Sequence, residues 1–198
     1  MASLNPDIIK SQIQASIITK QRLLEDTSSV ERIRQVVEVI VACYRKGGKV
    51  MLAGNGGSAA DAQHIAAELV NKLCFNRPAL ASIALTTDTS VLTAVANDSS
   101  VDYIFSRQIE AISKVGDVFI GISTSGNSPN VVEALKKARE LNVVTIGFCG
   151  ALIGKMDEYC DFCVKVPSTD TPRIQECHIL LGHIVCSLVE AILFDDIR

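Results

Sequence analysis

The chain is predicted to be an α/β protein with a parallel five-stranded sheet flanked by helices and two further helices leading in. Three observations carry this reading. From Lys49 onward, short apolar runs alternate with stretches of helical composition, and strands alternating with helices build a parallel sheet covered on both faces. The run Lys49-Val50-Met51-Leu52-Ala53 breaks at Gly54-Asn55-Gly56-Gly57-Ser58 into a helical stretch. Glycines let the backbone turn there and approach a ligand, and the first amides of the helix point at it. A later strand ends in Ser123-Thr124-Ser125-Gly126-Asn127-Ser128, followed by Pro129.

Residues 5–26 are the first predicted helix, with Ile9, Ile13, Ile17 and Leu24 near helical spacing. That amphipathic face either packs against another subunit or covers its own domain. Thr27-Ser28-Ser29 offers an N-cap for a second helix over residues 30–46, ended by Gly47-Gly48. A strand at 49–53 leads into a helix at 58–73. A short strand at 82–85 precedes Thr86-Thr87-Asp88-Thr89-Ser90, which caps a helix over 91–96, and Asn97-Asp98-Ser99-Ser100 is a polar break. Residues 102–113 are predicted helical and 117–122 a buried strand. Pro129 suits the first turn of a helix over 130–141. A strand at 143–148, a loop with a short helix near 151–156, a last strand at about 160–167 and a long helix over 172–194 complete the chain. No internal repeat or low-complexity linker divides it, so residues 1–198 are expected to form a single domain.

Composition narrows the function. Hydrophobic residues at 48% and charged residues at 21% are a globular balance. The net charge of −3, without a Lys/Arg cluster, argues against nucleic acid as the ligand. The apolar runs fall short of the ~20 residues a bilayer requires, and the stretch from Met1 to Pro6 lacks the basic-then-apolar pattern of a signal peptide. A cytoplasmic protein is expected. The seven cysteines are odd in number and scattered, as expected of small buried hydrophobes in a reducing compartment. Cys160-x-x-Cys163 falls in a predicted strand, where residues three apart face opposite ways and do not chelate.

The loops at 54–58, 86–90 and 123–128 all follow strands. They are expected on the carboxyl edge of the sheet, where ligands bind. Gly54-x-Gly56-x-x-Ala59 fits a dinucleotide fingerprint loosely, but no acidic residue ends the next strand at the usual distance, and no Gly-Lys-Ser/Thr follows. A small anion explains the glycines. Ser123, Thr124, Ser125 and Ser128 place four hydroxyls before a helix N-terminus, a cradle for a phosphate monoester that needs no lysine. Plain capping by Ser128 is the alternative. His64 and Glu68, four residues apart, share a helix face. On the last helix Gln175 and His183 lie within ~80° of each other but about 12 Å apart along the axis. His178 points elsewhere, a structural residue.

Taken together, the glycine turn at residues 54–58, His64-x-x-x-Glu68, Ala96-Asn97-Asp98, the hydroxyl loop at 123–128, Arg173-Ile174-Gln175-Glu176 and His183 resemble the flavodoxin-like sugar isomerase (SIS) fold. Within it the chain is similar to the bacterial phosphoheptose isomerases over nearly its whole length. The resemblance implies conversion of sedoheptulose 7-phosphate to D-glycero-D-manno-heptose 7-phosphate, the entry to the heptose of lipopolysaccharide core or to nucleotide-activated heptoses. It implies a cytoplasmic homotetramer with sites near subunit boundaries, residues 1–47 serving as a helical extension in oligomer packing, and no nucleic-acid or membrane partner. Asn55, Gly56, Gly57, Ser58, Glu68, Asn97, Asp98, Ser123, Thr124, Ser125, Ser128 and Gln175 would hold the substrate. Glu68 and His183 would be the acid/base pair, and His64, Glu68, Gln175 and His183 would bind one zinc ion per subunit. Pro172 stands where some members carry an Asp.

The chemistry is consistent with these residues. Ketose–aldose conversion moves a proton between C1 and C2 through an enediolate, which asks for a base and for stabilisation of the oxyanion. The rise between Gln175 and His183 suggests that helices from two subunits complete the site. Rival readings are a non-catalytic SIS protein that associates with the replication initiator, a SIS module that senses a sugar phosphate, and a nicotinamide-dependent oxidoreductase. The initiator-associating relatives depart at the positions matching Glu68 and His183, both present here.

Overall fold

The computed structural model describes residues 5–197. Strands β1 (Val50–Gly54), β2 (Ser82–Ala84), β3 (Val118–Ile122), β4 (Val144–Cys149) and β5 (Phe162–Lys165) form one parallel sheet in the order β2-β1-β3-β4-β5. Every residue of β1 and β3 is buried, as a strand covered on both faces requires. The chain moves from β1 to β2 on one side, then crosses to β3 on the other. The switch in strand order therefore falls between β1 and β3. Gly54 is paired with Ile122, so the glycine turn and the hydroxyl loop leave neighbouring strands at the same level.

Helices α1 (Pro6–Glu25), α2 (Thr27–Arg45), α3 (Gly57–Val70), α4 (Thr89–Asp98), α5 (Ser106–Ile112), α6 (Pro129–Glu140) and α7 (Thr171–Leu193) surround the sheet. One core layer joins α2, α3 and α7 to one face through residues such as Val36, Ile40, Ile65, Leu69, Leu181 and Val185. A second joins α5 and α6 to the other through Ile109, Val131 and Leu135.

Several boundaries differ from the sequence reading for identifiable reasons. The α2 cap is Asp26 rather than the Thr27-Ser28-Ser29 run. Its carboxylate accepts the Ser28 amide at 3.0 Å and the hydroxyls of Ser28 and Ser29 at 2.6 Å each. Those hydroxyls hold the Asp26 pKa down at about 2. Asp88 caps α4 through the Val91 amide at 3.0 Å, and α4 continues through Asn97 and Asp98, so the break falls at Ser99 and Ser100. The helix expected at 102–113 divides into a 3-10 turn, Val101–Tyr103, and α5, because Ile104 and Phe105 turn into the core between them.

The thiols depart further. Cys160 precedes β5 and is not part of it, so the strand argument does not apply to the Cys160/Cys163 pair. Cys163 Sγ lies 3.4 Å from Cys149 Sγ on the neighbouring strand. Hydrogen bonds from Cys149 first, then Cys160, lower the Cys163 pKa from the ordinary thiol range.

Two helices bear on partners. In α1, Thr19 and Leu23 are buried, whereas Ile9, Ile13, Ile17 and Leu24 are all more than half exposed. The apolar stripe therefore faces away from its own domain. Among the described residues α7 is the one helix long and apolar enough, by length and composition alone, to cross a bilayer. Here that apolar surface is core: Ile174, Leu181, Val185 and Val189 are buried against the sheet and its neighbouring helices.

Candidate active site

Helices α3 and α7 lie side by side and run in the same direction, with α7 extending beyond the end of α3. At the first turn, the position a Cβ on Gly57 would take is 2.7 Å from Gln175 Nε2. In the middle, a Cβ on Gly182 would fall 2.6 Å from Ile65 Cδ1, so glycine is what lets the helices approach. One residue beyond, His183 meets α3. Its Nε2 is 3.2 Å from Glu68 Oε1, His64 Nε2 is 2.9 Å from the same oxygen, and the two nitrogens are 3.2 Å apart. Glu68 is buried, and both imidazoles are partly exposed.

Three donor atoms from three side chains thus face one point. A tetrahedral zinc ion with bonds of ~2.0–2.1 Å sets its ligand atoms about 3.3 Å apart. Two imidazole nitrogens and a carboxylate oxygen at 2.9–3.2 Å fit that ion in both spacing and chemistry. Of the four ligands expected, His64, Glu68 and His183 form this group; Gln175 stands against Gly57 instead. Within one chain His183 reaches Glu68, while Gln175 does not join the group. The axial rise from Gln175 to His183 is matched by the rise from Gly57 to His64 on the parallel helix.

The surrounding charges are unequal. Burial raises the Asp61 carboxyl above the usual range, opposed by the imidazoles of His64 and His183. Burial first, and then the Glu68 carboxylate, push the Cys186 thiol up and keep it protonated beside Glu68. His178 is fully buried and lies 5.9 Å from Phe148 between ring centres. Burial draws its pKa down to about 4, the behaviour of a neutral core histidine.

A candidate anion site follows from how helices begin at this edge. The N-termini of α1, α2 and α4 are capped by the side chains of Asn5, Asp26 and Asp88. Those of α3, α6 and α7, which start at the carboxyl ends of β1, β3 and β5, have no side-chain cap bond. Their first amides are left for an outside acceptor. Ser128 precedes Pro129 but does not cap; its hydroxyl pairs with that of Ser123 at 2.9 Å. Gly56 holds φ +55° at the start of α3, a conformation that favours glycine. Thr124 and Ser125 line a cavity of about 190 Å³ together with Ser168, Thr169, Thr171 and Ile174.

Three expected substrate residues have other partners within one chain. The Asn55 side chain is engaged in a reciprocal amide pair with Asn130, at 2.8 and 2.9 Å, which ties the glycine turn to the start of α6. Asn97 donates to Asp98 at 2.8 Å, and Asp98 lines a separate cavity with Arg107, Glu110 and Lys137. Lys137 is about 12 Å down α6 from Pro129. Sequence reasoning missed Asp61, Asn130 and the hydroxyls of Ser168, Thr169 and Thr171. The last had a signal: hydroxyls ahead of Pro172 repeat the pattern ahead of Pro129.

Comparison with known proteins settles the family. The SIS domain family matches residues 16–150. A phosphoheptose isomerase of Aneurinibacillus thermoaerophilus is 54% identical over 188 residues, covering 95% of each chain. The chain belongs to the phosphoheptose isomerases. Phosphoheptose isomerase 2 of Campylobacter jejuni is 52% identical over 194 residues, 98% of this chain and 96% of its own. The solved phosphoheptose isomerase of Neisseria gonorrhoeae superposes with a TM-score of 0.88 at 42% identity, covering 94% of this chain and 98% of its own. The phosphoheptose isomerases are aldose–ketose isomerases, so this is an enzyme family.

Proposed function

We propose that the chain converts D-sedoheptulose 7-phosphate to D-glycero-D-manno-heptose 7-phosphate by proton transfer through an enediolate. The observation that carries the mechanism is the convergence of Glu68, His64 and His183 on the helix pair whose other end holds the glycine turn. The distance from that turn to His64 is on the order of 10 Å along α3, a span suited to a seven-carbon chain held by its phosphate.

In this mechanism the uncapped amides of α3, α6 and α7 and the hydroxyls of Ser123, Thr124, Ser125 and Ser128 hold the phosphate. Gly56, Gly57, Ser58 and Gln175 orient the chain of the sugar, and Asn97 and Asp98 would act from a neighbouring copy. Glu68 removes a proton from C1 and returns it at C2, while His183 carries the hydroxyl proton from O1 to O2, so no proton is gained or lost overall. His64, Glu68, Gln175 and His183 would hold zinc; a zinc-bound carboxylate is a poorer base, so Glu68 and His183 would have to leave the ion for the proton transfers. When bound, zinc supplies Lewis-acid polarisation of the sugar oxygens. The exposed Ile9, Ile13 and Ile17 stripe of α1 is suited to the interface of a cytoplasmic homotetramer. The product feeds lipopolysaccharide-core or nucleotide-activated heptose synthesis.

The test is turnover of sedoheptulose 7-phosphate by the purified protein, with metal content assayed on the same batch. Absence of aldoheptose phosphate, with or without added zinc, would turn the reading to a SIS protein that senses a sugar phosphate or binds the replication initiator.

A further inference from the structure

Arg77 and Glu190 have not entered the chemistry, yet both side chains are fully buried and joined by a bond from Nε to Oε1 of 2.8 Å. Arg77 lies beyond the end of α3. Its Nη2 donates to the backbone carbonyl of Glu68 at 2.7 Å, and its Nη1 donates to that of Leu69 at 2.7 Å and of Pro78 at 3.0 Å. The guanidinium therefore satisfies carbonyls that a helix leaves open at its C-terminus, where a cation is also favoured by the dipole. The Glu190 carboxylate accepts the amides of Leu73 and Cys74 at 2.7 and 2.8 Å. Burial alone would raise its pKa, but those amides and the guanidinium hold it below the usual range. The Phe194 ring, 5.7 Å from the guanidinium carbon, closes the far side.

The placement of this pair relative to the reacting residues is what matters. Glu190 is two helical turns beyond His183 on α7, so the two share a face. Arg77 grips the main chain of Glu68 itself. A closed circuit runs from the Glu68 carbonyl through Arg77 and Glu190 to α7, along α7 to His183, and back across 3.2 Å to the Glu68 carboxylate. Sliding α7 along α3 would lengthen the Arg77–Glu190 bond and the approach of His183 to Glu68 together, so the buried pair resists that movement.

We infer that Arg77 and Glu190 are positioning residues: their buried pair sets the register of α7 on α3, and with it the approach of His183 to Glu68. The inference rests on the reading of Glu68 and His183 as the acid/base pair. Neither side chain is exposed, so the pair acts through the two helices. Lysine at position 77 retains the charge but not the fork that reaches Glu190, Glu68 and Leu69 together.

Arg77→Lys and Glu190→Gln should be purified alongside Glu68→Gln and His183→Gln, and kcat and KM for sedoheptulose 7-phosphate measured well below each unfolding midpoint. We expect kcat of the first two to fall by roughly tenfold to a hundredfold, the cost of misplacing reacting groups by about an ångström. Their KM should stay within about twofold of wild type, since the phosphate site is distant from the pair. Wild-type kcat in a folded Arg77→Lys or Glu190→Gln, or a kcat loss no greater than the loss of folded protein, would overturn the inference. So would failure of both variants to fold, because the pair would then be holding the fold and not tuning the site. Wild-type activity in Glu68→Gln or His183→Gln would instead overturn the acid/base reading on which it stands.

Discussion

His183 Nε2 lies 3.2 Å from Glu68 Oε1 although the two residues come from opposite halves of the chain. What brings them together is the parallel packing of α7 on α3 at a glycine. Gly182 has no side chain where Ile65 Cδ1 would otherwise be 2.6 Å from its Cβ.

Gly182→Ala should therefore move the helices apart. Overpacking costs about 1–3 kcal/mol, partly offset by the helix propensity gained on replacing glycine, up to ~1 kcal/mol. The prediction is a modest fall in stability and a larger fall in kcat. Adding Ile65→Val should recover part of both, because the two positions share one contact. Chemical denaturation and steady-state assays on the single and double variants check this.

Ser128→Ala separates capping from ligand binding. A capping serine replaced by alanine costs about 1 kcal/mol of stability. The Ser128 hydroxyl pairs with Ser123 and makes no cap bond, so stability should change little. Loss of one hydrogen bond to a charged phosphate should raise KM by roughly tenfold. A lowered unfolding midpoint with unchanged KM would restore the capping reading.

His178 predicts an acid response. Its folded pKa of about 4 lies below the ordinary value of 6.5, so the unfolded chain binds the proton more readily. Stability from this residue is complete above pH 6.5 and is lost as pH falls towards about 4, below which the contribution is constant. His178→Leu removes the titrating group. Denaturation curves across that window should fall less steeply for the variant than for wild type.

Asp26 responds in the same direction, at lower pH. Its folded pKa is depressed to about 2 from 3.8, so its stabilisation is present above pH 3.8 and is lost as pH falls through about 2. Asp26→Ala should cost about 1 kcal/mol near neutrality, as an N-cap loss does. That difference from wild type should shrink on acidification, which denaturant titrations at both ends of the range would show.

The local patterns of the sheet and its helices were legible because apolar runs, glycines and prolines act over a few residues. The glycine turn and the His64/Glu68 face were visible for the same reason. Relations between elements were not. Whether Asn55 faced a ligand or Asn130 depended on two loops leaving adjacent strands at one level, a property of strand order. Cys160 was misread because the start of β5 is set by pairing with β4 rather than by the alternation of Phe162, Cys163 and Val164. Asp98 lay on the wrong side of a helix end that sequence placed two residues early.

The measurement that tests the central claim most directly is NMR-monitored conversion of sedoheptulose 7-phosphate in deuterated water by wild type, Glu68→Gln and His183→Gln. Aldoheptose phosphate formed by wild type, with turnover lowered roughly a hundredfold or more in each variant, is the predicted result. Turnover by Glu68→Gln at or near the wild-type rate would contradict the account, for no other carboxylate in the His64–Glu68–His183 cluster is present to take the proton.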